Sequence, residues 1–216
     1  MKPNQSAQGV AKGLAITHAH LATGRIGKPS ACPFSITGQP NAMGGRETGG
    51  MAGHPGRAHG SFAPEDRDRV ARFWGAPDTA RASGLKAVEM FEAVRDGRIK
   101  AIWVMATNPP SACPTAARSA QALAKCPFVV VSDSRRDRHH RFRRRQAAGS
   151  GLGEKDGTVT NSERRISRQR ALFPAPGQAR ADWKIMADVA AAMGFDGFGW
   201  PSTASVFREM GPADGL

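Results

Sequence analysis

Residues 99–133 read IKAIWVMATNPPSACPTAARSAQALAKCPFVVVSD, and this stretch decides the fold class. The apolar run at 99–106 leads into the sequence TNP, which is typical of a buried strand that ends in a loop. Residues 116–124 have the composition of a helix, and a second apolar run at 128–131 leads into the sequence SD. Two strands joined by a helix through short connections predict a β-α-β unit of a parallel sheet covered by helices.

Outward from this unit the chain alternates helical and irregular segments. Gly-, Pro-, Asn- and Ser-rich sequence at 27–60 predicts a long loop, and loops of that length are usually functional or disordered. The polar stretch at 157–170 is predicted to be partly extended. We expect an α/β protein with part of a doubly wound parallel sheet and flanking helices, which are predicted at 6–23, from 64, at 85–95, at 182–193 and from 202.

The formal charge of +13 would ordinarily indicate a polyanionic partner such as nucleic acid. Residues 134–152, however, contain seven arginines and one aspartate, so a charge of about +6 belongs to this one segment. A small basic nucleic-acid-binding protein that uses Arg135–Arg145 as a phosphate-contacting arm is therefore an alternative hypothesis. Phe142 is the one aromatic residue within that run, and no recognised nucleic-acid module surrounds it.

Several other classes of protein are not expected. No apolar run approaches the roughly 20 residues that span a bilayer, and the first residues do not resemble an export signal. The three cysteines are too few and too scattered for a disulfide framework, which points to the cytosol. The spacing of cysteines and histidines matches no metal-binding motif, so a metal held by side chains of this chain is not expected.

The ends of the two predicted strands are the first candidate site. Ligands of open parallel sheets bind beyond the carboxyl ends of the strands, where Asn108 and Asp133 are placed. An acidic residue there can accept paired hydrogen bonds from a ribose or from a guanine edge. Alternatively, Asp133 caps a turn and Asn108 only begins an Asn-Pro loop. The residues alone leave both interpretations open.

A series of motifs resembles bacterial assimilatory nitrate reductases, within the dimethyl sulfoxide reductase family of molybdoenzymes. Residues 27–50 read GKPSACPFSITGQPNAMGGRETGG, and in collinear order the chain also contains MKPNQSAQG, HLATGRIGKP, FWGAP, LKAVEMFEAVRDGRIKAIWVMATNP, CPFVVVSD and GEKDGTVTNSERRISRQR. The resemblance covers nearly the whole chain. It implies reduction of nitrate to nitrite with bis-molybdopterin guanine dinucleotide carrying molybdenum. A formate dehydrogenase is the nearest alternative, and the motif GQPNAMGGRE favours nitrate reductase over it.

The resemblance also assigns residues. Its cofactor contacts fall on Met1 and Gln5, which form an M-x-x-x-Q pattern, and on Asn108 of the TNP loop. The Ser-Asp pair that holds a guanosine in this family corresponds to Ser132 and Asp133. The remaining contacts are Lys155, the lysine of GEKDG, and Asp182, the acid before the late helix. Asp182 is equally plausible as a helix N-cap.

Arg46, in the block GGRE, is expected near the metal by this resemblance. Nitrate is a planar anion, and a guanidinium offers it a planar fork of hydrogen-bond donors. The alternative is a structural surface pair between Arg46 and Glu47. The neighbouring glycines Gly44, Gly45, Gly49 and Gly50 are expected to permit close approach of backbone and ligand without acting in catalysis.

The resemblance further implies a larger enzyme, of which this chain is an internal part. The family's iron–sulfur cysteine cluster, its molybdenum-ligating cysteine and its carboxy-terminal cofactor domain are not matched here, so the chain alone is not expected to turn over nitrate. The electron donor of the full enzyme would be ferredoxin, flavodoxin or an NADH-linked subunit. We expect a cytoplasmic protein without a membrane or a specific nucleic-acid partner.

The arginine run interrupts the resemblance. With suitable codons, moving the reading frame of residues 137–153 by one base yields TDTTAFADVKLPAAAW, which is the pattern of the family. We therefore interpret 134–152 as a frameshifted segment that is exposed and poorly ordered, and we expect it to displace Lys155. The chain is therefore expected to have four parts. Residues 1–62 form a helix and a Gly-rich loop that face cofactor and substrate, and residues 85–133 form a nucleotide-binding β-α-β unit. Residues 134–152 are the frameshifted segment, and residues 153–216 are a return segment with helices.

Overall fold

A computed structural model describes residues 6, 8–34, 38–39, 41–48, 62–76, 79–113, 115–134, 142 and 145–210. Its helices are α1 (Gly9–Ala22), α2 (Ala42–Glu47), α3 (Pro64–Trp74), α4 (Ala87–Arg95), α5 (Pro109–Ala112), α6 (Ala116–Lys125), α7 (Asp182–Ala192) and α8 (Thr203–Met210). Its strands are β1 (Ala101–Met105), β2 (Phe128–Asp133), β3 (Arg145–Ala148), β4 (Gly157–Thr160) and β5 (Ile166–Gln169). Met1 and Gln5 lie outside the described residues.

A three-stranded parallel sheet with the order β1-β2-β3 forms the centre of the fold. The predicted β-α-β unit is confirmed: β1 pairs with β2 in parallel, and α5 and α6 connect them. In this register Met105 lies opposite Ser132, and Asp133 lies opposite Ala148 of β3. The predicted α/β class with a parallel sheet is therefore correct. A separate antiparallel hairpin, β4–β5, follows in the chain.

Helices α4 and α6 pack on one face of the sheet and enclose the hydrophobic core, which consists of Phe91, Val94, Val104, Ala122, Leu123, Cys126, Val129 and Val131. Alternation along the strands explains this, because every second residue of β1 and β2 turns toward the helices. Trp103 and Phe128 turn to the other face, where 37% and 45% of their surfaces are exposed.

The reversal between α4 and β1 depends on a glycine. Gly97 has a φ of 78°, a left-handed conformation that a side chain would disfavour. This turn lets the Ile99 amide donate to the Ala93 carbonyl at 3.1 Å and directs the chain back into the sheet. The helix predicted at 85–95 therefore ends where its sequence indicates.

Two expectations about irregular segments are wrong in part. Within the predicted loop 27–60, residues Ala42–Glu47 form α2. Within the segment 134–152, Arg145–Ala148 form β3, and Gly149 and Ser150 after it are buried. A strand can form there because the hydrogen bonds that pair it with β2 are made by backbone groups, which every residue in it supplies. The side chains can be accommodated as well, since Arg145 is exposed to water and the residues after position 146 are small. Residues 135–141 and 143–144 lie outside the described residues.

None of the helices in the described ranges combines the length and the apolar composition needed to cross a bilayer. The three cysteines Cys32, Cys113 and Cys126 are free thiols.

Candidate nucleotide-binding edge

The carboxyl ends of β1 and β2 meet at one edge of the sheet. The Ala106 amide, directly after β1, donates to the Ser132 carbonyl near the end of β2 at 2.9 Å. Asn108 therefore begins its loop beside Ser132 and Asp133, on the edge where parallel sheets bind ligands. The structure thus brings Asn108 close to Ser132 and Asp133, which follow it by 24 and 25 positions along the chain.

The turn that carries Asn108 contains a strained residue and is anchored by a buried hydroxyl. Ala106 has a φ of 50°, which is rare for a residue with a side chain and is often found at functional sites. Asn108 stands at the N-cap of α5, and the Ser119 hydroxyl, fully buried in α6, donates to the Pro109 carbonyl at 3.1 Å. Helix α6 therefore fixes the start of α5, and with it Asn108, against the sheet.

Ser132 has a partner that the sequence did not reveal. The indole Nε1 of Trp103 donates to Ser132 Oγ at 2.8 Å, and only 1% of Ser132 is exposed. The apolar run at 99–106 predicts Trp103 only as an apolar residue of a strand. Alternation of faces along paired strands is the signal that could have found this contact, because Trp103 and Ser132 fall on the same face.

Lys155 and Asp182 reach the same edge from the return segment. Lys155 Nζ lies 2.5 Å from Asp182 Oδ2, and both side chains are about 30% exposed. Asp182 Oδ1 also lies beside Gly149, where an added Cβ would approach it to 3.3 Å, and the Gly149 amide donates to the Asp133 carbonyl at 3.2 Å. Ala181 is the N-cap of α7 and Asp182 is its first helical residue, so the N-cap interpretation of Asp182 is wrong.

The return segment is attached to β3 by backbone contacts. The Arg180 amide donates to the Ala148 carbonyl at 3.0 Å, and the Ser150 amide donates to the Arg180 carbonyl at 2.9 Å. At the outer end, Arg180 Nη1 pairs with Asp188 at 2.8 Å across the first turns of α7. These bonds set the position of Asp182 relative to the ends of β2 and β3.

The edge fits a polar ligand. Ser150 is 4% exposed, and its Oγ has no hydrogen-bond partner among the described residues. Gly149 leaves its side-chain space to the Asp182 carboxylate. A buried hydroxyl without a partner and two acids at one sheet edge suit a ligand with several donors and acceptors, such as a nucleotide. Within the described part of the chain, no group of three or more histidine, cysteine or acidic side chains is arranged to hold a metal ion.

Arg46 lies apart from these residues. It is an exposed residue of α2, the short helix that contacts β4, and it is not in a loop as the sequence indicated. Asn41 accepts a hydrogen bond from the Thr160 amide at 2.9 Å and fastens α2 to β4. Glu47 pairs with Arg164 at 3.9 Å. No hydrogen bond or ion pair joins Arg46 to the sheet edge within the residues that the structure describes.

Comparison with known families decides what this edge belongs to. The model of the family described as Molybdopterin oxidoreductase matches residues 1–192. The chain belongs to this family. Among similar proteins, the nitrate reductase of Klebsiella oxytoca is 50% identical over 214 residues, and the nitrate reductase of Shewanella frigidimarina is 47% identical over 208 residues. The assimilatory nitrate reductase catalytic subunit of Bacillus subtilis is 34% identical over 192 residues.

These alignments cover 98%, 96% and 88% of this chain. They cover 25%, 22% and 27% of the respective relatives. The chain thus spans about a quarter of the length of the nitrate reductases that it resembles.

Proposed function

We propose that this chain contributes the guanine-nucleotide end of a cofactor site to a molybdenum-dependent oxidoreductase that reduces nitrate to nitrite. The cofactor would be bis-molybdopterin guanine dinucleotide. The observation that carries the proposal is the convergence of four separated parts of the chain at one edge of a parallel sheet, where they contribute Asn108, the pair Ser132 and Asp133, Lys155 and Asp182. When bound, the molybdenum centre supplies the two-electron exchange that converts nitrate to nitrite.

In this proposal the charge of each residue at the sheet edge determines which part of the nucleotide it binds. The Asp133 carboxylate accepts hydrogen bonds from paired donors of the guanine ring, for which its two oxygens are suited. Lys155, held at 2.5 Å by Asp182, supplies a positive charge that a phosphate can share. Asn108 offers an amide from the adjacent strand end. Met1 and Gln5 complete the expected contacts by resemblance.

Arg46 is proposed to bind nitrate through its guanidinium. Its position on α2, which packs against β4, suits a role at a distance from the nucleotide end. The three relatives are nitrate reductases, which favours nitrate over formate as the substrate. In the full enzyme we propose an iron–sulfur cluster outside this chain, a ferredoxin, flavodoxin or NADH-linked donor, and a cytoplasmic location. The isolated chain is proposed to be inactive.

Titration calorimetry with guanosine diphosphate tests the nucleotide site on the chain itself. Asp133→Asn removes one charged acceptor, and a charge-assisted hydrogen bond contributes about 1.5–3 kcal/mol, so affinity is expected to fall on the order of 10- to 100-fold. Asp96→Asn is the matched control, because this exposed acid stands at the C-cap of α4, before β1 begins. Equal binding of adenosine diphosphate, or no effect of Asp133→Asn, would contradict the proposal.

The nitrate assignment needs a separate experiment. The matching 214 residues of the Klebsiella oxytoca nitrate reductase are replaced by this chain, and nitrite formation is measured with a reduced viologen dye. We expect nitrite from the hybrid and none from the isolated chain. Arg46→Gln in the hybrid is expected to lower nitrite formation on the order of 100-fold, by analogy with loss of a charge-stabilising donor. Arg72→Gln, at an exposed residue of helix α3, is expected to have no effect.

A further inference from the structure

The contact between Trp103 and Ser132 carries a consequence for recognition. An indole N–H is a hydrogen-bond donor and never an acceptor. Because Trp103 Nε1 lies 2.8 Å from Ser132 Oγ, the serine oxygen must be the acceptor in this bond. The single hydrogen of the Ser132 hydroxyl is therefore directed elsewhere.

That hydrogen has no acceptor in the described part of the chain, where the Trp103 indole is the one side-chain or backbone group bonded to Ser132 Oγ. Ser132 is 1% exposed, so bulk water does not solve the problem. Buried donors are nearly always paired, and a donor without an acceptor in a low-dielectric surrounding is unfavourable. The Ser132 hydroxyl at the carboxyl end of β2 thus lacks an acceptor within the described residues.

The sheet fixes the geometry of the pair. Trp103 is registered with Val130, and Ser132 is two residues further along β2 on the same face. The indole therefore reaches diagonally toward the carboxyl edge, a distance that aromatic side chains can span. Since 37% of Trp103 is exposed, core packing alone does not account for a tryptophan at this position.

We propose that Trp103 is a positioning residue that holds Ser132 as a hydrogen-bond donor to an acceptor atom of the guanine nucleoside. This inference rests on the proposed nucleotide site and adds the direction of one contact. Ser132 then donates while its neighbour Asp133 accepts, so adjacent residues of β2 recognise an acceptor and a donor of one ligand. Ligands that present a donor to Ser132 are disfavoured, because Trp103 already occupies the oxygen.

A double-mutant cycle on the full chain with guanosine diphosphate as the titrant tests the inference. Ser132→Ala is expected to weaken binding about 10-fold, and Trp103→Phe about 3- to 10-fold, because the freed hydroxyl can turn away from the ligand. In the Ser132→Ala background, Trp103→Phe is expected to have no further effect. A purely structural role of Trp103 would weaken binding in both backgrounds. Trp74→Phe, on the half-exposed tryptophan of α3, is the matched control and should not change affinity.

A second measurement does not depend on the Trp103 variant folding. Hydrogen exchange of the Trp103 indole N–H is followed in the unmodified chain and in Ser132→Ala, where the indole loses its acceptor and exchange should accelerate at least 10-fold. Addition of guanosine diphosphate should slow the exchange in the unmodified chain only. Unchanged exchange, or additive losses in the cycle, overturns the inference while the nucleotide site stands. If guanosine diphosphate fails to bind the unmodified chain, the nucleotide site and the inference fall together.

Discussion

Two adjacent glycines of α2 are expected to respond in opposite directions to the same substitution. A Cβ on Gly44 would overlap the Asn41 amide and lie 2.9 Å from Thr160 Oγ1, whereas a Cβ on Gly45 would meet nothing within 4 Å. Gly44 is therefore required by close packing of α2 on β4, and Gly45 is not. The sequence alone does not distinguish these two glycines, which it treats together as permitting close approach.

The magnitude follows from three effects. Replacing glycine by alanine inside a helix is worth about 1 kcal/mol, and Gly45→Ala should realise most of it. In Gly44→Ala the same gain is opposed by overpacking of about 1–3 kcal/mol. It is also opposed by loss of the Asn41–Thr160 hydrogen bond, about 1 kcal/mol. The two variants should therefore differ by about 2–4 kcal/mol in the stability of the α2–β4 contact.

Hydrogen exchange of the Thr160 amide measures this contact directly, because Asn41 Oδ1 is its acceptor. A difference of 2–4 kcal/mol corresponds to about 30- to 700-fold in protection, higher in Gly45→Ala and lower in Gly44→Ala. Urea denaturation reports whether the change is local or global. Equal protection of Thr160 in both variants would refute the packing argument and, with it, the placement of Arg46 on a helix held by β4.

Three further predictions concern stability. Leu123→Ala, in the core at 1% exposure, should lower the free energy of unfolding by about 2–5 kcal/mol in urea denaturation, and exposed Gln121→Ala should change it by less than about 0.5 kcal/mol. Ala106→Gly should raise the free energy of unfolding by up to about 1 kcal/mol, because glycine adopts the left-handed conformation without strain and this gain exceeds its entropy cost. A decrease in the free energy of unfolding would contradict the argument that Ala106 is strained. The hydrogen bond from Lys184 lowers the pKa of Asp188, so its ion pairs stabilise the fold above the ordinary carboxyl pKa and are lost as pH falls through the lowered one. The difference in Tm between the unmodified chain and Asp188→Asn should be present at pH 7 and should shrink as pH falls below the ordinary carboxyl pKa, and a difference that does not shrink with falling pH would exclude this origin.

The segment around the arginine run shows where patterns in the sequence lose their force. Its charge predicted an exposed, irregular stretch, yet Arg145–Ala148 add a third parallel strand to β2. A strand edge offers backbone donors and acceptors to any sequence whose side chains can be accommodated, and here Arg145 remains exposed while small residues follow position 146. Side-chain composition therefore gave a wrong prediction for β3, because this strand forms through backbone hydrogen bonds to β2. Lys155, which was expected to be displaced, lies beside Asp182.

By itself the sequence determined the strands and their ends. Apolar runs bounded by TNP and SD specify β1 and β2, and parallel strands necessarily place Asn108, Ser132 and Asp133 at one edge. Only the tertiary structure decided which side chains meet there: Trp103 with Ser132, 29 residues apart, Lys155 with Asp182, 27 apart, and Asn41 with Thr160, 119 apart. The physical reason is that periodicity and turn chemistry act over a few residues, whereas these contacts depend on strand register and on how helices dock against the sheet.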